Sequence, residues 1–195
     1  MGYSAIENSQ NSFGYTAEEF IEAWKRGMDY IIQKNIEGNY IVERGAGIML
    51  SKILKEFDPN FLDLRSPCGA GIGQLAYFYN GDVYSCDEGR MLGNDLFLLG
   101  NVNDDSYKKI SQNSKIKTLV TASTLDNFAC DECVYKSYCG ICPVLNYTLY
   151  GNLFPNIRAT DQCKINETML DYLFLKMKDP KVLDVFKKWV SRKTS

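Results

Sequence analysis

Apolar residues recur at helical spacing near both ends of the chain. Phe20, Trp24, Met28 and Ile31 follow one another at intervals of four, four and three, which sets them on one helical face. Thr16 and Glu19 stand ahead of them with capping-box spacing, so a helix is predicted from Thr16 to about Asn35. A weaker stripe of Ile48, Leu50, Ile53, Leu54 and Phe57 predicts a second helix from about Glu43 to Phe57, stopped by Asp58-Pro59. At the carboxyl end, Leu170, Leu173, Phe174 and Met177 mark one helix. Pro180 divides it from another, marked by Val182, Val185, Phe186, Trp189 and Val190. Between these ends the period changes. Gly69, Gly71 and Gly73 make a close-approach segment that passes into alternating Leu75, Tyr77 and Tyr79, and Asn80-Gly81 then predicts a hairpin turn with both positions at positive φ. The strands on either side are expected at Gln74–Tyr79 and Asp82–Cys86. Residues 105–124 read as one or two short helices, Cys130 to Pro143 as a compact loop, and the polar residues 1–14 as a frayed start. The fold class expected is α+β, mostly helical, with a small β-hairpin and a cysteine-rich metal-binding loop region.

Composition narrows the function. The chain has 195 residues and a formal net charge of −2, which offers no basic field for a nucleic-acid backbone or an anionic membrane. No apolar run reaches the roughly 18 residues of a membrane span. The amino end shows neither an export signal nor a myristoylation signal, so a cytoplasmic location is expected. In that setting seven cysteines read as metal ligands rather than as disulfides, the odd count leaving one over.

Four of them form the run Cys130-x2-Cys133-x5-Cys139-x2-Cys142, and Cys163 follows after twenty residues. A C-x2-C pair turns both sulfurs onto one ion or cluster and aims backbone amides at them. Histidine is absent, which excludes Cys2His2 zinc, Rieske-type clusters, His-bound haem and any imidazole base. The remaining pair is Cys68-x12-Gly81-x4-Cys86, with Gly81 in the predicted turn, so the hairpin brings Cys86 back beside Cys68. A zinc-stapled lobe using Cys130, Cys133, Cys139 and either Cys142 or Cys163 is the simpler alternative. Tyr77, Phe78, Tyr79 and Tyr84 read mainly as cross-strand packing and secondarily as a peptide-binding edge. Asp87, Glu88 and Arg90 read equally as substrate contacts and as a solvated loop.

The joint order of the cysteines over roughly residues 62–165 resembles the SPASM domain, which follows the catalytic barrel in radical-SAM peptide maturases and anaerobic sulfatase-maturing enzymes. The segments Gly81-Asp82-Val83-Tyr84-Ser85-Cys86-Asp87, Leu99-Gly100-Asn101-Val102 and Tyr138-Cys139-Gly140-Ile141-Cys142-Pro143 share the resemblance. It implies two auxiliary 4Fe-4S clusters. Carried over by position, Cys68, Cys86 and Cys142 bind the first cluster, and Cys130, Cys133, Cys139 and Cys163 bind the second. The chain departs from the family pattern twice. Residues 60–67 carry no cysteine, which leaves the first cluster one protein ligand short and its fourth iron open to a substrate group or a non-cysteine ligand. Two residues rather than three separate Cys139 from Cys142, so Cys142 could instead turn toward the second site.

No C-x3-C-x2-C triplet occurs, so S-adenosylmethionine belongs to a catalytic barrel outside this sequence, fused in the full-length protein. The organisation implied is a helical bridging region at 1–61, the SPASM-like metal-binding domain at 62–165, and carboxyl-terminal helices packing on it at 166–195. The function implied is to bind a ribosomally made peptide or protein substrate, to relay electrons, or both. The alternative is a stand-alone zinc-binding or iron–sulfur electron-transfer module acting through protein contacts. Zinc is also the expected substitute in an aerobic preparation.

Overall fold

The computed structural model describes residues 14–61 and 64–191. Apart from Gly14, the polar start read over residues 1–14 lies outside them. The helices are α1 (Ala17–Ile36), α2 (Arg44–Leu54), α3 (Asp87–Leu92), α4 (Tyr107–Ser111), α5 (Ser114–Ser123), α6 (Pro143–Tyr150), α7 (Asp161–Lys176) and α8 (Pro180–Ser191). The strands are β1 (Ala76–Tyr77), β2 (Asp82–Tyr84) and β3 (Leu98–Asn101). They belong to two compact units: Leu62–Ile157, and Tyr15–Phe61 together with Arg158–Ser195. Mostly helical with one small sheet, the chain is α+β, as its periodicities require.

The second unit is an assembly of four helices in which α1 and α2 each pack against both α7 and α8. Thr16 caps α1 with the reciprocal bonds of a capping box: its hydroxyl accepts the Glu19 N–H, and the Glu19 carboxylate accepts the Thr16 N–H at 2.8 Å. Ala17, Met28 and Ile32 are the buried positions of α1, and Leu170, Leu173, Val182, Val185, Phe186 and Trp189 supply those of α7 and α8. Buried polar groups in this unit are paired. Tyr172 donates its hydroxyl to Asp29 at 2.7 Å, the Trp24 indole N–H reaches the Glu43 carboxylate at 3.3 Å, and the Trp189 N–H reaches Asn35 at 3.1 Å. Helix α2 is shorter than its stripe suggested. It ends at Leu54 because Lys55 is extended, and Phe57 lies 65% exposed beneath the Lys55 ammonium instead of on the buried face.

The first unit is built on the three-stranded antiparallel sheet, in the order β1-β2-β3. The hairpin is where Asn80-Gly81 placed it, but the turn differs in type. Tyr77 pairs with Val83, and Phe78 receives its closing bonds from the facing strand: its N–H donates to Asp82 O and its carbonyl accepts the Gly81 N–H. The loop is therefore the three residues 79–81, a type I turn closed by Gly81 at φ +94, and Asn80 does not adopt positive φ. Gly81 cannot be replaced cheaply, since a Cβ there would lie 2.5 Å from Asn103 Nδ2 and 2.7 Å from Asn101 Oδ1. Gly81→Ala is expected to cost about 1–2 kcal/mol for the left-handed backbone alone, read as a lower urea midpoint. The sheet also holds a third strand that the hairpin pattern did not announce. It pairs Asp82 with Asn101 and Val83 with Gly100, and the register slips between Val83 and Tyr84. Residues 105–124 resolve into α4 and α5, capped by the side chains of Ser106 and Asn113.

Candidate metal centre

Cys68, Cys86 and Cys142 come from three distant stretches and meet around one apolar core. Cys68 and Cys86 are buried there with Tyr84, Phe97, Leu119 and Val144, and Cys142 packs against the same cluster. Each sulfur has a local reason to face where it does. Cys86 is the N-cap of α3, its Sγ accepting the Gly89 N–H at 3.3 Å. Cys142 is the N-cap of α6, its Sγ accepting the Leu145 N–H at 3.4 Å, with Pro143 pre-set for the first helical position. The Sγ of Cys68 accepts the Ala70 N–H at 3.4 Å. Two further bonds fix that segment: the Cys68 N–H donates to the buried Ser123 hydroxyl at 3.0 Å, and the Gly71 N–H donates to Ser85 O at 2.7 Å.

The Cys86 sulfur lies in a dry place, where a lone thiolate is disfavoured. Burial pushes the Cys86 thiol up to about 12; the Gly89 N–H opposes this, the Glu88 carboxylate and the Cys142 sulfur add to it, and the Ser85 hydroxyl opposes it. A thiol so disfavoured as a lone thiolate becomes a good ligand once a cationic centre takes the place of its proton, and that exchange couples binding to proton release. The three-thiol donor set, each member met by a backbone N–H, fits an iron–sulfur cluster held by cysteine.

Cys130, Cys133 and Cys139 lie on one loop of successive tight turns. The Cys133 N–H donates to Cys130 O at 3.0 Å, the Lys136 N–H to Cys133 O at 3.1 Å, and the Cys139 N–H to Lys136 O at 3.3 Å. Cys130 is buried with Leu125 and Ile141, and Cys139 packs against them. Lys136 clamps the loop from outside, its ammonium bound by Asp126 and, at 2.6 Å, by Asp131. Those two hydrogen bonds hold its proton above the ordinary lysine range. Cys163 belongs to the helical unit, in the first turn of α7, where its N–H donates to the Thr160 hydroxyl at 3.2 Å. None of the seven cysteines forms a disulfide. Among the described residues, no group of three or more His, Cys, Asp or Glu side chains stands at the spacing of a single metal ion.

Asp87, Glu88 and Arg90 lie in helix α3 rather than in the solvated loop expected of them. Asp87 and Arg90 pair within α3 at 2.7 Å, and the Arg90 guanidinium lies 5.8 Å from the Phe78 ring. Of the four aromatics, Tyr84 is buried, while Tyr77 and Tyr79 are 60% and 91% exposed. The residue that sequence reasoning passed over is Ser85. It is fully buried, and its hydroxyl donates to Cys86 Sγ at 3.9 Å.

Fold and thiols together define a cysteine-rich module. The family model for SPASM, an iron-sulfur cluster-binding domain, matches residues 68–143. Solved structures agree in fold. Native anSMEcpe with bound AdoMet superposes with a TM-score of 0.68 at 17% identity, covering 92% of this chain and 46% of that one. Native anSMEcpe with bound AdoMet and the Cp18Cys peptide gives 0.66 at the same identity and coverage. These neighbours are anaerobic sulfatase-maturating enzymes of the radical-SAM class, and this chain spans under half their length. No curated protein gives a significant match. No described helix is long and apolar enough to cross a membrane.

Proposed function

We propose that this chain is the auxiliary-cluster portion of a cytoplasmic radical-SAM maturase acting on a ribosomally made peptide or protein. Cys68, Cys86 and Cys142 hold a first 4Fe-4S cluster. Cys130, Cys133, Cys139 and Cys163 hold a second. The observation that carries the reading is the convergence of Cys68, Cys86 and Cys142 on one apolar core, each sulfur receiving a backbone N–H. With Cys142 packed there, the first site has three protein thiolates and one iron left for a non-cysteine ligand. AdoMet and peptides bound in the solved anSMEcpe structures support a separate S-adenosylmethionine-binding barrel and a peptide substrate class.

When bound, such clusters take up and pass on single electrons. The residues of this chain bury the sulfurs, aim amide dipoles at them and keep water away, which sets how readily the centre is reduced. The reading is tested by reconstituting the chain anaerobically with iron and sulfide and titrating it with reductant. Reversible bleaching of the sulfur-to-iron absorption, with EPR signals from two centres, supports it; a chain that takes up no iron and sulfide under those conditions rejects it. Cys133→Ser is expected to lower the iron content and the thermal stability of the loaded chain, because ligand binding is also folding free energy in that loop. Unchanged iron and melting temperature would remove Cys133 from the ligand set.

A further inference from the structure

Ser85 sits in the short link between β2 and α3, beside a candidate ligand and away from solvent. Its main chain is fully used: the N–H donates to Phe97 O at 2.9 Å, and the carbonyl accepts the Gly71 N–H. Its hydroxyl proton reaches one acceptor among the described residues, Cys86 Sγ. That is a poor return for a buried hydroxyl when the sulfur is a neutral thiol, a weak acceptor. Burial without a good partner is destabilising. The position makes sense when the sulfur is anionic, since a hydrogen bond to a charged acceptor is about twice as strong as a neutral one.

The neighbouring backbone is shaped for the same purpose. The Gly89 N–H donates to the same sulfur, and a Cβ on Gly89 would lie 2.9 Å from Phe97 Cβ and 3.2 Å from Ser85 Oγ. Only glycine lets the first turn of α3 come this close. Cys86 Sγ is thus met by an amide N–H and by a side-chain hydroxyl.

We propose that Ser85 is a positioning residue that raises the reduction potential of the first cluster by donating its hydroxyl to the sulfur of Cys86. A donor on a ligand sulfur stabilises the more electron-rich, reduced state, so removing it makes reduction harder. The proposal rests on Cys86 being a cluster ligand. It is tested on the full chain reconstituted anaerobically, by EPR-monitored redox titration of wild type, S85A and S85T. In S85A the midpoint potential of one cluster is expected to fall while the other stays in place, with iron content and thermal unfolding of the unloaded chain nearly unchanged. S85T, which keeps the hydroxyl, is expected to stay near wild type. Two unmoved potentials in fully loaded S85A would overturn the proposal. Wild-type protein that assembles no cluster would overturn the ligand reading beneath it, and that failure is seen before any variant is made. Should S85A hold no iron, a crystal structure of the loaded wild-type chain decides. Ser85 Oγ within the present 3.9 Å of Cys86 Sγ supports the role, and Oγ turned to another acceptor rejects it.

Discussion

Cys86→Ser is expected to strip about half of the iron from the reconstituted chain, from about eight to about four atoms if both centres are 4Fe-4S clusters, and to leave the unloaded protein folded. The two effects separate because the side chain has two tasks. As N-cap of α3 it accepts the Gly89 N–H, and serine is among the best residues for that position. As a soft anionic ligand it has no equal in a hydroxyl. Cys86→Ala removes both tasks, and the lost cap is expected to lower the stability of the unloaded chain by about 0.5–2 kcal/mol. Iron assay beside urea unfolding of wild type and the two variants checks this. Equal iron in Cys86→Ser and wild type would exclude Cys86 from the first site.

Phe97→Ala should be the most damaging apolar change in the cysteine unit. Phe97 is fully buried in the core that holds Cys68 and Cys86, meets the Tyr147 ring edge-on at 5.9 Å, and lies against Gly89. Truncation is expected to cost about 3–5 kcal/mol, because the backbone around Ser85 and Gly89 cannot collapse into the space. The measurement is urea unfolding followed by circular dichroism. A loss below about 1 kcal/mol would mean that the site relaxes freely and that its sulfurs are not positioned by packing.

What could be read beforehand was local. The Thr16–Glu19 capping box, the stripes of α1 and α8 and the place of the Asn80-Gly81 turn depend on residues within a few positions of one another. The turn type was not legible, because it follows from the pairing of Tyr77 with Val83, and Gly81 alone takes positive φ. Helices α3 and α6 were missed for a chemical reason. Their N-caps are cysteine sulfurs, outside the usual Ser, Thr, Asp and Asn signal, although Asp87-Glu88 and Pro143 each marked a first turn. The cysteine spacing foretold the partnership of Cys68 with Cys86, which the hairpin enforces. It left the side taken by Cys142 open, and packing puts that residue against the Cys68–Cys86 core. Ser85 could not be found from period-two alternation, since the register slip between Val83 and Tyr84 leaves Val83, Tyr84, Ser85 and Cys86 all buried in succession.

The convergence of cysteines from separate stretches on inorganic centres is tested most directly by Mössbauer spectroscopy with iron and sulfide counting on the anaerobically reconstituted chain. About eight irons per chain in two 4Fe-4S spectra, one iron site of the first distinguishable from its cysteine-bound neighbours, is the expected result. About four irons in a single cluster, or stoichiometric zinc with no sulfide under the same iron-replete conditions, would contradict it.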